Sequence, residues 1–523
     1  MQICFLFCTS HRESIRPFPF QQHARSAVPE GKSAIIKICV YSAEKDSGMV
    51  VLTRKEIGAK LVFFQLLYVT FFNLIIDYLK LPKAISYLTD LINLFLFFWL
   101  LIYKRTLTEI FRMRLQSVLY AALLLLAAAW LTALLNFVPP LLMLWSTRNA
   151  LRAFPFFFSV ILFWNKKYTD LFSKSLILLQ IPNTILAVFQ FYVSKKQGDF
   201  LGGIFGISQG CNGYLCIFLL VVVTLVVERY LHGKENVFVI GATCFSSMFV
   251  AALAELKIVY LVVPIIIIAS FVLNTPSLKT FVLAALISVA LILGVNLILL
   301  YFPAWEESFS SIRALINVGK FATDGGYAIP RLGAFSEINK LFFQDSIPKN
   351  LFGFGFGACE YSRFDFLTTV FFERYGTMNY RWFSHMMWFL QTGYLGIACY
   401  SVFILSVFAW ITKMKLRYGD PGGIGSFGQI MCGVMIINFI YNSSLITEAG
   451  YLLFASLAIP FVCYKEIIFS KRDAKKQGLS VPAEDSIYEG GTVPAHTGIP
   501  DETGMPAPEP QQSTEASPFY MLP

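Results

Sequence analysis

The chain has 523 residues, of which 56% are hydrophobic and only 14% charged, and Phe alone fills 52 positions. At a mean hydropathy of +0.63, such a chain lacks the polar residues that a water-soluble globule needs for its surface. The formal charge of +10 would suit nucleic acid, but the basic residues fall in short clusters between apolar runs, so we expect a membrane and no nucleic-acid partner.

Residues 1–48 are irregular and of mixed charge. They lack the charged start and apolar stretch of a signal peptide, and Met49 follows, where a shorter chain could begin. The expectation is an over-extended start or a disordered leader. A bilayer core takes about 20 predominantly apolar residues per helix. Twelve windows of that kind follow, near 61–79, 86–103, 116–136, 150–164, 173–193, 212–231, 236–254, 257–273, 281–302, 386–410, 424–441 and 446–464. Alternate connections collect Lys and Arg, among them "RKEIGAK", "KRTLTEIFRMR", "NKKYTDLFSK" and "KMKLR". Placing these on the cytoplasmic side leaves both termini inside. The expected fold is an all-α polytopic integral membrane protein of about 12 transmembrane helices, its membrane unit spanning 49–470.

One connection is far longer than the rest. Residues 303–385, just before the tenth helix, fall on the outer face with eight acidic and eight basic residues. A near-neutral loop of that length is no polyanion trap, and connections so long are usually functional or inserted subdomains. The tail, 471–523, is expected to be disordered and cytoplasmic: from Gln477 it holds seven acidic residues, no Lys or Arg, and repeated Pro and Gly. The ten cysteines lie mostly inside apolar runs such as "GATCFSS" and "QIMCGVM" without a CxxC pair. Small buried packing residues are the reading, rather than a disulfide framework or zinc site.

Few segments carry chemistry. No GxxxxGK[ST] is present, which disfavours an ATP-driven pump, and "GFGFG" at 353–357 lacks the strand-to-helix setting of a dinucleotide cradle, so it reads as a tight turn. With no HExxH, no carboxylate cluster and five histidines in all, neither a metal nor a cofactor is expected. Arg148 and Arg152, in "WSTRNALRAFPFFF", are four apart and share a helix face. Arginines at a hydrocarbon boundary either snorkel or meet an anionic partner such as a lipid headgroup; both readings stand. Lys195 and Lys196 precede a Gly-rich run ending at Asn212, a polar loop or a binding element. Glu255 and Lys257 mark an outer turn or a buried pair. His385 stands at the entrance of an apolar run, behind Arg374 and Arg381 and ahead of a polar Gln391-Thr392-Gly393. A lone histidine there is usually structural, but these neighbours raise it as a site candidate.

Three segments together resemble the O-antigen polymerase and O-antigen ligase superfamily. "RLGAFSEINKLFFQDSIPKNLFGFGFG" is similar to the family's arginine, amphipathic stretch and proline before G-x-G, on Arg331, Pro348, Gly353 and Gly355. "SHMMWFLQTGYLG" is similar to its histidine and G-x-x-G, on His385, Gly393 and Gly396. The helical plan, with its large outer loop before that histidine, is the third. The family often has His-Asn where this chain has His385-Met386, and "AELK" is a poor substitute for the family's mid-chain Ser-Arg element.

The resemblance implies a glycosyltransferase of the bacterial cytoplasmic (inner) membrane with its site facing outward. Its donor would be a glycan on a polyprenyl diphosphate, polymerised into surface polysaccharide without cofactor, with a chain-length regulator or flippase as possible partner. Arg148, Arg152, Arg331, Arg374 and Arg381 would bind the diphosphate, since guanidinium forks suit phosphate oxygens. His385 would take the acceptor proton, with Glu337 and Glu360 as alternative bases. Ligase-type transfer to another acceptor, and transport of lipid-linked sugar, are the alternatives. Against transport stand the missing internal repeat and the long outer loop.

Overall fold

The computed structural model describes residues 54–103, 106–274, 277–303, 306 and 328–476. The leader, the tail from Gln477 and the loop charges Glu307, Arg313, Lys320 and Asp324 lie outside the described residues. Among the described residues every regular element is helical. Each of the twelve apolar windows lies on a helix. Among the described residues nine helices are long and apolar enough to cross a membrane, and three apolar helices are shorter, at Ala153–Phe163, Val237–Leu253 and Lys257–Leu273. The last helix runs on to Lys476, past the expected boundary at 470.

The elements that position the site are α1 (Arg54–Leu79), α2 (Leu88–Ile102), α3 (Thr106–Arg112), α4 (Gln116–Leu135), α5 (Pro140–Leu151), α6 (Ala153–Phe163), α7 (Lys166–Tyr192), α8 (Cys211–Leu231), α9 (Val237–Leu253), α10 (Lys257–Leu273) and α11 (Leu278–Tyr301). After the outer loop, with short helices α12 (Ala334–Ile338), α13 (Ile347–Phe352) and α14 (Val370–Tyr375), come α15 (Ser384–Tyr418), α16 (Ile424–Tyr441) and α17 (Gly450–Lys476). A helix that is apolar all round sits either inside a bundle or against lipid. In α17 89% of the apolar window is buried and in α8 83%, against 28% for α11, so α8 and α17 are central and α11 peripheral. Helix α15 packs along α4 and α16, and α6 along α17.

The bounds of the three short helices follow from local chemistry. Pro155 has no N–H for the carbonyl of Leu151 and its ring crowds that carbonyl, which interrupts the run between α5 and α6 at Arg152. Between α9 and α10 the chain reverses at Glu255, which takes the left-handed conformation (φ 55°), so the polar pair Glu255 and Lys257 forms a tight turn. Burial pushes the Glu255 carboxyl up from its ordinary value. The Gly-rich run after Lys196 does not hang free either. It folds as two short 3-10 turns with Gly203, Ile204 and Phe205 buried, where the Gln190 side chain donates to the Gly203 carbonyl (2.8 Å) and accepts from its N–H (2.7 Å).

Helix α15 is broken inside. Gly393 has φ 59° and ψ −156°, and the carbonyls of Leu390 and Gln391 accept instead from the N–H groups of Phe354 (2.8 Å) and Gly355 (3.0 Å). The "GFGFG" turn is thus a zip against the broken helix. A Cβ on Gly353 would stand 2.5 Å from the Gln391 carbonyl carbon, and one on Gly393 2.5 Å from the Asn350 carbonyl oxygen. Both positions also need positive φ, so two glycines are what allow the backbones to cross.

Candidate functional site

The zip carries polar side chains to one end of the bundle. There a cavity of about 340 Å³ opens among the start of α2, the α5–α6 bend, the outer loop, the first turns of α15 and the segment before α17. Its charged wall consists of Arg148, Arg152, Arg363, Arg381, Glu360 and Glu448.

The inner wall is closed by ion pairs. Arg148 donates to Asp90 at the start of α2. Arg152, only 7% exposed, donates to Glu448 Oε1 at 2.6 Å and to the Ile446 carbonyl at 3.1 Å, with Asp90 at 3.9 Å. Tyr214 Oη donates to the other oxygen of Glu448 at 2.9 Å. Burial penalises the Glu448 carboxylate, but Arg152, its own backbone N–H, Arg148 and Tyr214 outweigh that and hold its pKa down at about 2. The bend itself is tied by Asn93, whose amide donates to the Arg152 carbonyl at 2.7 Å.

Beside this wall lies Glu360, 3% exposed. Its Oε1 accepts from Ser146 Oγ (2.7 Å) and Gln391 Nε2 (3.0 Å), and its Oε2 from Asn149 Nδ2 (2.9 Å). Gln391 is oriented in turn by the Gly357 N–H, which donates to its Oε1 at 3.2 Å. With one donor on it, Oε2 keeps a second acceptor position.

The outer rim is different. Arg381 stacks on Tyr361 (4.7 Å) and Phe372 (5.2 Å), and among the described residues neither it nor Arg363 has a carboxylate partner. Stacking fixes the plane of a guanidinium and leaves its N–H edges for an anion. Arg148 is also stacked, on Trp145 (4.9 Å) and Tyr87 (5.4 Å), but its edge is taken by Asp90.

Four of the residues singled out in the sequence, Arg148, Arg152, Arg381 and Glu360, therefore meet in one cavity. Four others do not line it. His385 is buried among Phe335, Phe383 and Phe439. Its Nε2–H donates to the Arg331 carbonyl at 3.2 Å, so it ties the outer loop to α15. The Arg331 side chain lies over Tyr441 (4.2 Å) and Phe383 (4.7 Å), and burial lowers its pKa. Glu337 sits on α12 and Arg374 is exposed on α14. Sequence reasoning passed over Asp90, Glu448 and Arg363. Asp90 in "YLTDLINLF" and Glu448 in "SSLITEAGYLLF" are lone carboxylates in apolar surroundings, as Arg148 and Arg152 are lone cations, and low dielectric demands that such charges find each other. Among the described residues no group of three His, Cys, Asp or Glu gathers as a metal centre, and the seven described cysteines are buried and free.

The fold and site together define a helical protein with membrane-spanning apolar helices and a charged cavity at one bundle end. No protein-family model matches the chain, and no curated protein matches it in sequence.

Proposed function

We propose that this chain is a glycosyltransferase of the cytoplasmic membrane that polymerises polyprenyl-diphosphate-linked oligosaccharide repeat units at the outer face, with about twelve crossings, both termini inside and the 303–385 loop outside. The observation that carries the reading is the pairing, within one cavity, of arginines that have no carboxylate partner among the described residues (Arg363, Arg381) and a buried, amide-held carboxylate (Glu360). A diphosphate leaving group needs its charge neutralised, which guanidinium forks do bidentately. An acceptor hydroxyl needs a base within hydrogen-bond reach, and Glu360 Oε2 has the open acceptor position. Glu360 is thus the base in this reading, Arg381 and Arg363 hold the diphosphate, Arg148 and Arg152 shape the wall, and His385 positions the loop. The resemblance of the Arg331 and His385 segments to the polymerase and ligase superfamily supports the same class.

The test is chain extension by purified protein in detergent, supplied with lipid-linked repeat units and read as a size ladder on a gel. The wild type should lengthen the glycan, and Glu360→Gln should slow it about 10²- to 10⁴-fold, the usual worth of a general base. A ladder made equally well by Glu360→Gln removes Glu360 from the mechanism. No lengthening, but transfer to a lipid acceptor, indicates ligase chemistry. Neither reaction, with translocation of lipid-linked sugar in vesicles, replaces the enzyme reading by transport.

A further inference from the structure

Two indoles of the cavity wall stand apart from the other aromatics. Tyr87, Trp145 and Tyr361 are each covered by a guanidinium. Trp382, 46% exposed, belongs to the wall and, among the described residues, has no ring or cation stacked on it. It follows Arg381 on a single turn, Tyr380–Trp382, and both residues line the cavity. Trp388, also of the wall, is 2% exposed, and its Nε1–H has no acceptor among the described residues. A buried donor without a partner is costly, so such a site favours a ligand that brings an acceptor oxygen.

We propose that these two indoles form a pyranose subsite for the sugar next to the diphosphate: the ring packs on the Trp382 face and, once a side-chain shift uncovers the now covered Trp388 Nε1, one of its oxygens accepts from it. This rests on the reading above. A pyranose offers both an apolar C–H face and acceptor oxygens. A bare phosphate would use the N–H and leave the indole face empty, and a lipid tail would do the reverse. Amphipathic rings of this kind gain from contacts with one apolar and one wet side.

The experiment compares two probes on the full chain in nanodiscs, farnesyl diphosphate and farnesyl diphosphate bearing N-acetylglucosamine, by calorimetry. The sugar-bearing probe should bind the wild type at least about tenfold tighter. Trp382→Ala should erase that increment, Trp382→Phe should restore most of it, and Trp388→Phe, which keeps a ring and lacks the donor, should cut it several-fold. All three should leave the affinity for farnesyl diphosphate unchanged. Equal affinity of the wild type for both probes overturns the subsite alone, as does an increment that survives Trp382→Ala and Trp388→Phe. Quenching of the Trp382 contribution to emission by brominated lipid, and not by the sugar probe, makes it a membrane anchor and also overturns it. Binding of neither probe removes the proposed function and the subsite together.

Discussion

The two ends of the bundle are both rich in buried charge, but they spend it differently. At the end away from the cavity two such charges, Lys465 and Asp420, are closed on the protein itself. Lys465, 2% exposed, donates to the carbonyls of Ile161, Leu162 and Trp164 at the end of α6. Asp420 accepts from the N–H groups of Gly425 (2.6 Å) and Ser426 (3.0 Å) and pairs with Lys415 at 3.1 Å. At the cavity end the inner arginines are closed in the same way, whereas Arg363 and Arg381 are not. Charge that caps helix ends holds a fold, and charge left facing a cavity is available to a ligand.

Substitutions at four positions would break or sharpen that contrast. The largest effect is expected from Arg152→Ala, which strands Glu448 and should cost about 3–5 kcal/mol of stability, as loss of one partner of a buried pair does; denaturation in detergent measures it. An unchanged midpoint with lost activity would move Arg152 from the wall to the ligand. Next comes Arg381→Ala, which should weaken farnesyl diphosphate binding about a hundredfold, about 2.7 kcal/mol, while the midpoint of unfolding stays put. Arg381→Lys should recover only part, because the fork is lost. Third, Lys465→Met leaves three carbonyls without their donor and should cost about 1–3 kcal/mol with turnover per folded molecule unchanged; a specific loss of turnover would erase the distinction between the two ends.

The fourth effect is a pH dependence that shows only in acid. Glu448 is held down at about 2, below an ordinary carboxylate at about 4.3. A lowered folded-state pKa gives stability that is fully present above the unfolded value and is lost as pH falls through the folded one. The stability advantage of wild type over Glu448→Gln should therefore be flat from about pH 8 to 5, shrink below about 4.3 and be gone near 2. A difference that changes between pH 6 and 8 would mean that another group titrates with the pair.

Much of the architecture was legible in the sequence. Composition and apolar windows placed the twelve long or short apolar helices among the described residues, because burial of apolar length is a local property that a run of Phe, Leu, Ile and Val announces. Arg148 and Arg152 also stood out as exceptions to that pattern, whereas Arg381 and Glu360 were two of sixteen charges in the long loop. The partners were not legible. Asp90 and Arg148 are 58 residues apart, and Arg152 and Glu448 are 296 apart, so only packing joins them. The "GFGFG" turn read as a turn but not as the zip that receives the carbonyls freed at Gly393.

What the sequence determined by itself is which segments leave water and which residues are too polar to do so without company. Only the tertiary structure decided the company: which arginines are neutralised by carboxylates, which are left to the cavity, and that Glu360 lines the cavity while His385 does not. The reason is physical. Hydrophobic burial is fixed by residue type, whereas the worth of a charge depends on what stands within a few ångströms of it, and that distance is set by the fold.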